Sequence, residues 1–179
     1  MNKKPKKLPS SINSYNFRSG IRHTLSYTIK ELIIALREKK LTLSLAESCS
    51  GGYASYLLTK ISGASKVFKG AVVVYSLDTK TKLFNIPSSL LEKTQGVSKE
   101  VALKLATGVK GKFNSDIGAS IVGFAGPGAK TKTQLGTTFI ALVSKNKQKI
   151  KKIIIKGSRD SVRKKISADL INLLYKTYA

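Results

Sequence analysis

The sequence predicts an α/β domain: a three-layer α/β/α sandwich around a mixed, mostly parallel sheet of about five strands. Three observations predict it. Short β-branched apolar runs alternate with segments whose apolar residues recur every three or four positions. Several of those runs end in polar loops rich in glycine or hydroxyl groups, as strands do where they hand over to helices in α/β folds. The last two strand candidates are joined by a Lys-Asn-Lys-Gln turn, too short for a crossover, so they must pair antiparallel. At 179 residues and 41% apolar, the chain can bury one sizeable core.

In chain order, Thr28 to Lys39 carries Ile29, Leu32, Ile33 and Leu36 on one helical stripe. Leu41–Leu45 alternates as a strand. Ala46-Glu-Ser-Cys-Ser-Gly-Gly52 follows, and a helix begins near Gly51 with Ala54, Leu57, Leu58 and Ile61 inward. After a turn at Ser62–Ser65, Val67 to Tyr75 reads as a strand covered on both faces. Ser76–Lys80 is polar, and Thr79–Phe84 reads as a short helix ended by Pro87. Ser98 is an N-cap, and the helix behind it presents Val101, Leu105 and Val109. Ile117–Val122 is a third buried strand, followed by the glycine-rich loop 123–129. Thr137–Val143 and Ile150–Ile155 form the hairpin. Gly157-Ser-Arg-Asp160 opens a last helix with Val162, Ile166, Leu170 and Leu173 on one face. Residues 1–27 read as a basic, poorly ordered extension, with no apolar stretch of a secretory signal. Residues 28–179 are the domain.

Composition narrows the function. The formal net charge is +24, from 33 Lys and Arg against 9 Asp and Glu. Such a balance attracts nucleic acid or anionic surfaces. The lysines are spread along the chain and no recognition motif accompanies them, so nucleic acid is a disfavoured but open partner. No apolar run reaches membrane-spanning length. The single cysteine, Cys49, forbids an intrachain disulfide and fits a reducing, cytoplasmic setting. With one histidine, His23, no His- or Cys-rich metal site can be built.

Three polar loops, 46–52, 76–80 and 123–129, each follow a buried strand. If those strands run parallel, the loops gather at one sheet edge, where open α/β sheets bind ligands. Ser48 is the candidate nucleophile. A serine hydroxyl needs a base; with no usable histidine, that base is Lys, Asp, Glu or Tyr. Lys80 stands one turn past Tyr75 and Ser76, at the same edge. It can act only if burial or cationic neighbours lower its pKa, and the chain's positive charge would help. Gly51 and Gly52 leave backbone N–H groups open at a helix start, suited to an oxyanion. Other readings stand beside these. Ser48 and Ser50 could merely cap the helix. Lys80 could be a solvated surface charge. Cys49 could be the nucleophile or a packing residue, and Glu47 could orient a catalytic group or cap. Arg159 and Arg163 could grip a phosphate or only solvate the last helix.

These residues carry a resemblance. Ala46–Gly52 resembles the A-E-S-C-S/T-G-G signature of the CinA C-terminal family, whose members include nicotinamide-nucleotide amidases. Phe68-Lys-Gly70, Tyr75-Ser76 and Lys80 match its F-x-G-x-x-x-x-Y-S-N-x-x-K stretch. Gly96-Val-Ser98 is similar to its G-x-V-S helix start, one residue shorter. Gly123-Phe-Ala-Gly-Pro127 resembles G-I-A-G-P, Leu135-Gly-Thr137 resembles V-G-T, and Gly157–Arg163 resembles G-x-R-x-x-V-R. The ordered matches cover about residues 28 to 176.

The resemblance implies a stand-alone amidase domain, without the pyrophosphatase-type domain of longer members. Such a domain would deamidate nicotinamide mononucleotide to nicotinate mononucleotide and ammonia. It implies a Ser48/Lys80 mechanism with no cofactor and no metal. Backbone amides near Ser50, Gly51 and Gly52 would hold the oxyanion. Glu47, Tyr75, Gly123, Ala125 and Gly126 would surround the nucleotide, with Arg159 and Arg163 as basic groups for its phosphate. It also implies a homo-oligomer. The chain departs from the pattern at Leu77, where the family has Asn, at Phe124 for Ile, at Ala129 for Gly and at Thr133-Gln134 for Lys-Pro. The rival reading, drawn from the charge and Leu77, is a non-catalytic nucleotide- or nucleic-acid-binding module.

Overall fold

In a computed structural model of the chain, residues 19–126 and 135–179 are described. The start of the basic extension, the side chain of His23, and Pro127, Ala129, Thr133 and Gln134 lie outside them. The elements in order are α1 (Ser19–Glu38), β1 (Leu43–Glu47), α2 (Tyr53–Thr59), β2 (Phe68–Val73), α3 (Leu77–Phe84), α4 (Ser88–Thr94), α5 (Lys99–Lys112), β3 (Ile117–Gly123), β4 (Thr137–Val143), β5 (Gln148–Ile154) and α6 (Arg159–Tyr178), with a 3₁₀ turn at Ala64–Lys66.

The five strands form one sheet in the order β2-β1-β3-β4-β5. β1 pairs parallel with β2 and with β3, while β4 pairs antiparallel with β3 and β5 antiparallel with β4. Only β4 therefore runs against the rest, and the sheet is mixed and mostly parallel in direction. Glu47 lies opposite both Val73 and Ile121, so β1 and β2 end level with one another and β3 runs on only to Gly123. Their following loops open at one edge of the sheet, as the parallel arrangement requires.

Strand alternation divides the apolar residues between two layers. Leu43, Leu45, Ile117, Ala119, Ile121, Ile140 and Leu142 face one way, onto α1, α2 and α6. Ala46, Val122 and Ala141 face the other, onto α3, α4 and α5. The helical stripes dock as their spacing dictates: Ile29, Leu32, Ile33 and Leu36 of α1 are buried, as are Val101, Leu105 and Val109 of α5. Ser98 and Ser158 cap α5 and α6, accepting from the N–H of Val101 at 3.1 Å and of Ser161 at 3.3 Å.

Several element ends shift by about two residues, with β1 at Leu43–Glu47 rather than Leu41–Leu45 and α2 ending at Thr59 before Ile61; three elements differ more substantially from the sequence reading. α1 begins at Ser19 rather than Thr28, because the helix continues upstream of its buried stripe into polar turns where Leu25 still packs on the core. α4, not anticipated, is a single short helix following Pro87 that inserts Leu91 beneath α5. β2 is not covered on both faces; it is an edge strand, and Val73 is 48% exposed. A nearly continuous apolar run rich in valine is compatible with either position when only sequence is read. No helix among the described residues is long and apolar enough to cross a membrane.

Candidate active site

β1 is buried along its whole length and delivers Glu47 and Ser48 to the sheet edge. The chain then reverses through Gly51 (φ 60°) and Gly52 (φ 89°), both left-handed and natural to glycine. Glu47 is fully buried and points away from the cleft. Its carboxylate accepts from the N–H of Ala54 at 3.1 Å, the N–H of Ser55 at 2.8 Å and the Ser55 hydroxyl. It thus caps α2, a strand-end acid satisfying the helix's open amides. The N-cap position itself is Gly52, with no side-chain cap. Ser48 and Ser50 are therefore not caps, and the Ser48 hydroxyl is left for other work.

That hydroxyl meets Lys80. The N-terminus of α3 is capped by Ser76, whose Oγ accepts from Thr79 N–H at 3.2 Å. The first turn so fixed turns Lys80 inward, where it is 2% exposed. Lys80 Nζ lies 3.2 Å from Ser48 Oγ and donates to the carbonyls of Val74 at 2.7 Å, Tyr75 at 3.3 Å and Ser76 at 3.4 Å. Lys80 is not a solvated surface charge. Burial lowers its pKa to about 8. The chain's surplus charge is not the cause, contrary to the sequence expectation: the causes are burial, which lowers it, and Cys49, which raises it.

The wall that buries this lysine was missed from the sequence. Gly96, between α4 and α5, is left-handed (φ 72°), and a Cβ there would stand 2.7 Å from Leu77 Cδ2 and 3.6 Å from Lys80 Cε. Leu77 and Gly96 thus close over the lysine stem. The Gly-Val-Ser motif at 96–98 was the available signal, read only as a helix start. Cys49 is buried, and burial pushes its thiol up to about 12. A thiol with that pKa is almost wholly un-ionised and is a poor nucleophile at neutral pH.

A cavity of about 200 Å³ opens beside the pair. Among the described residues it is lined by Ser48, Lys80, Tyr75, the Gln95–Val97 segment, the Gly123–Gly126 loop and Arg159, with Cys49 and Leu77 alongside. Arg159 donates to the Tyr75 hydroxyl at 3.2 Å, and its guanidinium lies where a side chain at Gly126 would clash, at 2.8 Å. Loops from β1, β2 and β3 and the start of α6 therefore converge, as expected. Ser50, Gly51, Gly52 and Arg163 do not line the cavity. The Gly51 N–H is engaged by Ser48 O at 3.0 Å. The amides of Ser50 and Gly52 make no hydrogen bond among the described residues. Arg163 Nε donates to Ser50 O at 3.0 Å. No cluster of His, Cys, Asp and Glu able to hold a metal occurs among the described residues.

The chain is similar to known proteins in family, in sequence and in fold. A family model described as the CinA C-terminal domain matches residues 26–178. A CinA-like protein of Dictyoglomus turgidum is 34% identical over 82% of this chain and 36% of its own length. Another from Dictyoglomus thermophilum is 38% identical over 76% of this chain and 34% of its own. The chain thus spans about a third of the length of these curated relatives. Among solved structures, a competence-damaged protein (CinA) superfamily protein from Enterobacter cloacae has a TM-score of 0.82 at 22% identity, covering 97% of this chain and 100% of its own. A competence or damage-inducible protein from Enterobacter asburiae gives 0.82 at 24%, covering 87% and 98%. These structural likenesses establish the fold.

Proposed function

The chain belongs to the CinA C-terminal domain family, and we propose that it is a hydrolase that deamidates nicotinamide mononucleotide through a Ser48/Lys80 acyl-enzyme. The observation that carries the proposal is the 3.2 Å contact between Ser48 Oγ and a Lys80 Nζ that is 2% exposed. A lysine held this way is a base for the adjacent hydroxyl, and a binding module has no need of the pair.

The carbonyls around Lys80 give that base a direction. Val74, Tyr75 and Ser76 offer only acceptors. In the neutral amine, two N–H groups satisfy carbonyls and the lone pair is left for the one neighbour able to donate, the Ser48 hydroxyl. Ser48 Oγ attacks the carboxamide carbon as its proton passes to Lys80. The amides of Ser50 and Gly52, without a hydrogen bond among the described residues, would be the turn's donors for the oxyanion; Gly51 N–H is engaged within the turn. The C–N bond then breaks, Lys80 protonates the departing nitrogen, and ammonia leaves an ester on Ser48. Water attacks that ester, Lys80 takes its proton and returns it to Ser48 Oγ, and the free acid departs. Arg159, which lines the cleft beside Tyr75, would meet the phosphate arm, with the Gly123–Gly126 loop along the nucleotide.

The test is ammonia release from nicotinamide mononucleotide. Turnover by the unmodified protein, and its loss in both Ser48→Ala and Lys80→Ala with folding retained, is the expected result. A fully active Lys80→Ala protein would remove lysine from the mechanism. Absence of turnover, together with tight, salt-sensitive binding of DNA or RNA, would favour the binding-module alternative.

A further inference from the structure

We propose that Arg163 is a positioning residue that holds Ser48 in place through the Ser50 carbonyl, rather than a substrate-binding cation; this rests on the serine-nucleophile reading above. Arg163 lies in the second turn of α6, in the layer behind the nucleophile turn. Its Nε donates to Ser50 O at 3.0 Å. Its guanidinium also lies against Gly51, where an added Cβ would stand 3.0 Å from one terminal nitrogen and 3.4 Å from Cζ. Gly51 therefore answers two demands, the left-handed φ of 60° and the close approach of a flat cation. Arg163 does not line the cavity, whereas Arg159 does.

The turn is held from both ends. Ser50 O also accepts from Tyr53 N–H at 3.3 Å, and Ser48 O accepts from Gly51 N–H at 3.0 Å. The Ser50 hydroxyl is fully buried without a partner among the described residues and cannot anchor the turn itself. Among the described residues, Arg163 is thus the side chain from another element that hydrogen-bonds the backbone of the turn, while Lys80 meets only its Ser48 hydroxyl. Ser48 lies two residues from that tie, and its hydroxyl must keep its 3.2 Å distance from Lys80 Nζ. A displacement of about 1 Å in such a pair costs on the order of 100-fold in rate.

The experiment measures labelling of Ser48 by a neutral alkyl fluorophosphonate, with ammonia release and thermal melting alongside. Arg163→Met keeps the stem and removes the donor. It is expected to slow Ser48 labelling and kcat together by on the order of 100-fold. KM and the pH midpoint should stay unchanged, since neither the cavity nor Lys80 is touched. Arg163→Lys, which can still reach the carbonyl, is expected to recover most of the rate. Labelling of Arg163→Met at the unmodified rate, or a rise in KM alone, would overturn the inference and return Arg163 to substrate binding. Arg163→Gln is the second variant, with the same outcomes, should the first not fold. Failure of the unmodified protein to label at Ser48 would instead sink the nucleophile reading, and this inference with it.

Discussion

Replacing Lys80 by methionine should abolish turnover and yet stabilise the protein at neutral pH. Burial lowers the Lys80 pKa from an ordinary 10.5 to about 8. Between those values the unfolded chain binds a proton that the folded chain does not, so stability rises with pH across that window. Below about 8 both states are protonated and the full cost of burying the charge is paid. At about 1.4 kcal/mol per pH unit, that cost is about 3 kcal/mol. Methionine matches the stem and carries no charge, but it gives up the buried hydrogen bond to Val74 O at 2.7 Å; the carbonyls of Tyr75 and Ser76, at 3.3 and 3.4 Å and only partly buried, can take water instead. Losing that donor costs about 1–2 kcal/mol. Lys80→Met should therefore be more stable than the unmodified protein by about 1–2 kcal/mol at pH 7 and less stable by a similar amount above pH 10.5. Urea unfolding followed by circular dichroism at pH 7, 9 and 11 measures the crossing. A variant less stable at pH 7, or a difference that does not change between pH 8 and 10.5, would refute the reasoning that burial sets the lysine's proton affinity.

Other outcomes follow from the same geometry. Glu47→Gln places an amide donor against the Ala54 and Ser55 N–H groups and should cost about 2 kcal/mol in urea unfolding; an unchanged midpoint would deny its capping role. Cys49→Ala should keep most of the proposed deamidase activity, and Cys49 should resist iodoacetamide at pH 7.5, because its thiol pKa is pushed up to about 12. Rapid alkylation with loss of activity would contradict both statements. Gly96→Ala meets a left-handed φ and the Leu77 side chain together, so it should lose about 1–2 kcal/mol in stability. It should also lower kcat by displacing the Lys80 stem, and a fully active, fully stable variant would show that this wall is not needed.

Much of the fold was legible because its signals are local. The stripes of α1, α5 and α6, the alternation of the strands and the caps at Ser98 and Ser158 each sit within a few residues. The convergence of three loops was legible too, since it follows from parallel strands alone. What could not be read depends on distant neighbours. Nothing in Val67–Tyr75 says that it lies at a sheet edge. Nothing near Glu47 says whether its carboxylate turns toward the cleft or back to Ala54 and Ser55. The burial of Lys80 needs Gly96 and Leu77, which meet only in the folded chain. The link from Arg163 to Ser50 spans 113 residues, and no spacing rule reaches that far.

Acylation of Ser48 can be observed by acid-quench mass spectrometry of the protein incubated with nicotinamide mononucleotide, followed by peptide mapping of residues 46–60. An acyl group of the nicotinate nucleotide's mass should be found esterified to Ser48 and absent from Ser48→Ala. An adduct on Cys49, or turnover with no adduct under conditions in which deacylation is slowed, would contradict it.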